Sequence, residues 1–72
     1  MTFEQLDFFI AAVESDTFFE AAEKVNTTQS TLSKQIRKLE TELCFSLFDR
    51  SMRSATLTPG GRALYKEALN LS

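Results

Sequence analysis

Apolar residues return every three or four positions at the start of the chain. Phe3, Leu6, Phe9, Ile10 and Val13 fit the i, i+3, i+4, i+7 spacing of one helix face. The pattern predicts a helix from about Thr2 to Glu14, broken by "ESDT". "TFFE" at 17–20 reads as a capping box, with Thr17 and Glu20 each bonding the other's backbone N–H. It opens a short second helix to about Val25 with a stripe of Ala21, Ala22 and Val25. The two alanines let another helix approach closely. "NTT" at 26–28 is a polar turn, and Thr28 is placed to cap a third helix that runs to about Leu43. Leu32, Ile36, Leu39 and Leu43 fall within about 60° of one another on it.

The period then changes. Leu47 and Phe48, a polar stretch with two arginines, and Thr56-Leu57-Thr58 predict a short two-stranded hairpin with a basic tip. "TPGG" opens a last helix, with Thr58 as cap and Pro59 at its first position. Gly60 and Gly61 weaken that first turn by roughly 1 kcal/mol each relative to Ala. Leu64, Ala68 and Leu71 form an apolar stripe up to the last residues, so the helix is expected to continue in a longer protein. Helix, capped short helix, turn, longer helix, hairpin and helix make a mainly α, winged helix-turn-helix order.

Length and composition narrow the function. Seventy-two residues make one small domain, near the lower limit for a single core. A lone cysteine excludes an internal disulfide, and with no charged segment ahead of an apolar run a secretory signal is not expected. The longest apolar run, Phe8 to Val13, is too short to span a membrane. The absence of histidine argues against zinc and removes the commonest general base. With no phosphate-binding glycine loop and no framed carboxylate pair, an enzyme is disfavoured.

The net charge of −2 conceals a division. Glu4, Asp7, Glu14, Asp16, Glu20 and Glu23 have no base among them. All eight bases, Lys24, Lys34, Arg37, Lys38, Arg50, Arg53, Arg62 and Lys66, follow. Such a split suits one face for a polyanion and another facing away, although solvated charges also cluster by chance.

Five strings in this order strengthen the first reading: "LDFFIAAVES", "TFFEAAEKV", "TQSTLSKQIRKLETEL", "LFDR" and "LTPGGRAL". Together they resemble the N-terminal DNA-binding domain of LysR-type transcriptional regulators, over essentially the whole chain. The resemblance implies a DNA-binding domain at 1–58 and, at 59–72, the start of a linker helix used in dimerisation. It also implies a bacterial, cytoplasmic protein, nucleoid-associated when bound to DNA, that forms homodimers and often tetramers. A small-molecule effector would bind a C-terminal domain absent from this chain, and no cofactor is expected here. Two positions depart from the family pattern. Ser30 stands where proline is common. Cys44 stands where glycine is common, and a left-handed cysteine there costs on the order of 1 kcal/mol.

The candidate DNA contacts are Thr28, Gln29, Ser30, Ser33, Lys34, Arg37, Arg50 and Arg53. Gln29 at the start of the reading helix can donate and accept across an adenine edge, or can be an ordinary first-turn residue. Ser30 and Ser33 suit base edges or phosphates. Lys34 and Arg37 lie opposite Leu32 and Ile36 and suit phosphates, whereas Lys38 sits toward the flank. Thr28 caps the helix beside N–H groups that favour a phosphate. Arg53 is placed for a narrow minor groove. Arg50 can serve the wing or pair with Asp49 or Glu40. Leu64, Ala68 and Leu71 are the expected dimerisation stripe. The phenylalanines are expected to serve mostly as core, and Cys44 as a small buried apolar residue. The alternative is a winged-helix protein-interaction module that does not bind DNA.

Overall fold

The computed structural model describes residues 1–49 and 56–70. Four helices and one short hairpin follow in chain order: α1 (Phe3–Val13), α2 (Phe18–Lys24), α3 (Gln29–Leu43), β1 (Phe48–Asp49), β2 (Thr56–Leu57) and α4 (Pro59–Asn70). The mainly α, winged helix-turn-helix order is therefore present. The strands are antiparallel, with Phe48 opposite Leu57 and Asp49 opposite Thr56. The hairpin tip, with Arg50 and Arg53, lies outside the described residues, as does Leu71.

Each of the first three helices begins at a threonine hydroxyl. Thr2 accepts from the Gln5 N–H while the Gln5 side chain accepts from the Thr2 N–H, a complete capping box. Thr17 accepts from the Glu20 N–H, and Thr28 from the Thr31 N–H. The two-way box thus falls at Thr2–Gln5, whereas α2 keeps a one-way cap. Glutamine at the third helical position serves this motif as well as glutamate does. Asn26 turns the chain between α2 and α3 with φ 56°, a conformation asparagine tolerates.

The helices α1, α2 and α3 pack on one another in pairs. Phe9, Ala21, Leu32, Ile36, Leu39 and Leu47 are wholly buried at their centre. Ala21 and Ala22 let α2 sit closely on its neighbours, as their size predicts. Phe48 brings the hairpin into this core. Its ring meets Phe9 edge-on at 5.7 Å and Phe18 at 5.3 Å, an arrangement that aromatic quadrupoles favour.

Three expectations are corrected. Phe8, Phe9 and Phe48 belong to the core and Phe18 packs against it, as expected of most phenylalanines. But Phe3, counted on the apolar face of α1, is 81% exposed, and Phe19 and Phe45 are also exposed. Phe3 lies in the first turn of α1, where the helical period places it in line with the acids Asp7 and Glu14. Cys44 is exposed. It is the left-handed cap of α3, with φ 66°, and that conformation carries its side chain out of the core. Ala68 is only 3% exposed within its own chain, where α4 packs on α1, and it is thereby removed from the outward stripe.

Candidate nucleic-acid interface

The site is built on α3. One side of this helix is fixed by Leu32, Ile36 and Leu39, all buried. At 100° per residue the opposite side is centred near Lys34 and Thr41, with Ser30, Arg37 and Lys38 beside them. These five residues and Gln29 are exposed, and Ser33 is half-buried. The Thr28 hydroxyl ties the first turn together. It accepts from the Thr31 N–H at 3.2 Å, donates to Thr31 Oγ1 at 3.0 Å and lies 3.4 Å from Ser30 Oγ.

The two acids of α3 are on its flanks, away from Lys34. Glu42 forms an ion pair with the terminal amino group of Met1. Glu40 Oε2 accepts from the backbone N–H of Leu47 at 2.7 Å and of Phe48 at 3.4 Å. Glu40 therefore anchors the start of the wing to the reading helix. Lys34, Arg37 and Lys38 remain on the outward side with no acid among them. The acids of α1 and α2, Glu4, Asp7, Glu20 and Glu23, are exposed on other elements. Among the described residues the division of charge along the chain thus becomes a division between elements.

Further ties hold the frame. Gln5 Nε2 donates to Gln35 Oε1 at 3.2 Å, joining α1 to α3. Thr58 donates its N–H to the Leu47 carbonyl at 3.0 Å and its hydroxyl to the Ser46 carbonyl, and its Oγ1 accepts from the Gly61 N–H. The hydroxyl that caps α4 therefore also fastens that helix to the segment before the wing. Sequence reasoning found Thr58 as a cap but missed this second bond. It also missed the role of Glu40, whose only signal was an acid about two turns before a hairpin.

A three-helix core, an α3 bearing its bases outward and a hairpin held at its flank define a winged helix-turn-helix domain. The chain belongs to the family described as bacterial regulatory helix-turn-helix protein, lysR family, whose model matches residues 3–62. It is 42% identical over 71 residues to an uncharacterized helix-turn-helix transcriptional regulator of Azotobacter vinelandii, covering 99% of this chain and 49% of that protein. It is 39% identical over 71 residues to the transcriptional regulator BenM of Acinetobacter baylyi, covering 99% of this chain and 23% of BenM. The BenM DNA-binding domain in complex with benA site 1 DNA superposes with a TM-score of 0.94, covering 99% of this chain and 80% of that one. The CbnR DNA-binding domain, also solved with DNA, is 34% identical with a TM-score of 0.91, covering 99% of this chain and 82% of that one. The chain spans about half the length of the first of these relatives and about a quarter of BenM. No helix among the described residues is long and apolar enough to cross a membrane.

Proposed function

We propose that this chain binds double-stranded DNA, as the DNA-binding domain of a lysR-family transcriptional regulator. The observation that carries the reading is the outward side of α3. It presents Ser30, Lys34, Arg37 and Lys38, with Gln29 exposed at the helix start, while both of its acids lie on the flanks. In this reading α3 enters the major groove. Gln29 reads a base edge, Ser30 and Ser33 contact bases or phosphates, and Lys34, Arg37 and the Thr28 end of the helix meet phosphates. The wing, with Arg50 and Arg53, lies toward the minor groove. The acids of α1 and α2 face away and disfavour other docking orientations.

In the longer protein two copies pair along α4, Leu64 and Leu71 contributing, and further association gives a tetramer. Two reading helices then meet half-sites about one helical turn apart, or a multiple of it. A small-molecule effector acts through a C-terminal domain beyond this chain. The regulator resides in the cytoplasm and on the nucleoid when bound.

Fluorescence anisotropy with a random-sequence duplex tests the DNA-binding reading. Binding is expected to weaken steeply as salt rises, since affinity depends on counterions released from phosphates. No salt-sensitive binding at low ionic strength would overturn the reading in favour of a protein-interaction module.

A further inference from the structure

The direction of α4 is set at two points. Its base is fastened by Thr58 to the carbonyls of Ser46 and Leu47, and the Gly61 backbone lies against that same Leu47 oxygen. One anchor leaves a rod free to swing. The second anchor comes further along, where the Tyr65 hydroxyl donates to Glu14 Oε2 at 2.8 Å. Glu14 is itself well held. It caps the end of α1, its N–H donates to the Ile10 carbonyl at 3.0 Å, and its carbonyl accepts from Lys24 Nζ at 3.2 Å. Lys24 is the last residue of α2. One residue therefore gathers α1, α2 and α4.

We propose that the Tyr65–Glu14 hydrogen bond fixes the bearing of α4 on the helical core, and thereby the separation of the two reading helices when two copies pair. This rests on the paired, DNA-binding reading above. Tyr65 and Glu14 are positioning residues that need touch no DNA. The apolar packing of Leu64, the Tyr65 ring and Ala68 tolerates sliding, whereas a hydrogen bond holds a narrow distance and angle. A 12-residue helix is about 18 Å long, so a swing of about 10° at its base moves its far end about 3 Å. That is close to the roughly 3.4 Å step between base pairs. Loss of the second anchor therefore blurs the spacing by about one base pair.

The test compares the full-length protein that carries this chain with its Tyr65→Phe, Glu14→Ala and Glu14→Gln variants. Half-sites are first selected from a random DNA pool with the unaltered protein. Anisotropy then gives affinities for duplexes with one half-site, and with two at spacings varied by single base pairs. Tyr65→Phe is expected to leave one-site affinity within about twofold and to cut the advantage of the best-spaced pair about fivefold to tenfold, the net worth of one hydrogen bond. Its spacing profile should flatten. Glu14→Ala should behave alike, and Glu14→Gln, which keeps an acceptor, should retain the original profile. Testing from both partners keeps the comparison decisive if one variant folds poorly. Equal losses on one-site and two-site duplexes, or an unchanged profile, overturn the inference. If the unaltered full-length protein gains nothing from a second half-site, the paired reading falls and this inference with it, while the one-site curve still reports DNA binding.

Discussion

Gly61 lies against the backbone carbonyl of Leu47 so closely that a Cβ on Gly61 would stand 2.2 Å from its oxygen. Neither glycine of α4 has a positive φ, so space and not backbone freedom requires the residue here. Gly61→Ala should therefore drive the first turn of α4 off the wing and destabilise the domain by on the order of 2 kcal/mol, even though alanine is the better helix former. At Gly60 the added Cβ would meet the ring of Phe45, a side chain that is 43% exposed, rather than backbone. Gly60→Ala should be nearly neutral. Urea unfolding of both variants checks the contrast, and equal losses would show that the Leu47 contact is not decisive.

Gln29 and Lys34 are expected to differ in kind. Gln29→Ala should lose about 1–3 kcal/mol on a preferred site and little on random DNA. Lys34→Ala should weaken both and reduce the log-log salt slope by about 1. Both side chains are exposed, so thermal stability should scarcely change. Affinities on the two duplexes decide. The same fractional loss everywhere for both variants would remove Gln29 from base reading.

Removing the Glu40 carboxylate should loosen the wing. Glu40→Ala leaves the N–H groups of Leu47 and Phe48 without that acceptor and should cost about 1–3 kcal/mol. Glu40→Gln keeps an acceptor and should cost less. Hydrogen exchange at the Leu47 and Phe48 amides reads this directly. Unaltered protection in the alanine variant would count against the anchor.

Tyr65 is the only tyrosine and the chain has no tryptophan, so phenolate absorbance reports it alone. Its pKa is raised above 10.0, first by the hydrogen bond to Glu14, then by burial and by the Glu14 charge. A phenol with a raised pKa in the fold adds stability that is complete below pH 10 and lost as pH climbs through the raised value. The absorbance midpoint should lie above 10, and Glu14→Gln should move it down toward 10. A midpoint at or below 10 in the unaltered chain would contradict the bond.

Cys44 holds a left-handed conformation at φ 66°. Cys44→Gly should stabilise the domain by up to about 1 kcal/mol, the strain exceeding glycine's extra unfolded-state entropy. The exposed thiol should also react with a thiol reagent at a rate independent of unfolding. Slow, unfolding-limited modification would place it inside.

The helices were legible because Leu32, Ile36 and Leu39 repeat at the helical period and all three are buried. The threonine caps were legible through their side-chain chemistry, and the capping box at Thr2–Gln5 was within reach of the same rule. Contacts that cross the chain were not. Nothing local in "PGG" shows that Gly61 will meet Leu47, or that Glu14 will receive Tyr65 from 51 positions away. Phe3 illustrates the opposite limit. An apolar residue in helical register can still face outward, because the same period that relates Phe3 to Leu6 also sets it in line with the exposed Asp7 and Glu14. For the proposed DNA contacts, periodicity places Ser30, Lys34 and Arg37 on the exposed side of α3, but the arginines of the hairpin tip have no period to place them.

Phe48 is the root of the wing and also part of the helical core, its ring wedged against Phe9 and Phe18. The root of the wing, at β1, and the helix α3 are consequently seated on one shared core. In the DNA-binding reading proposed above, a duplex that meets both would have to supply the matching curvature, and base pairs between the two contacts would be selected by how readily they bend, without being touched.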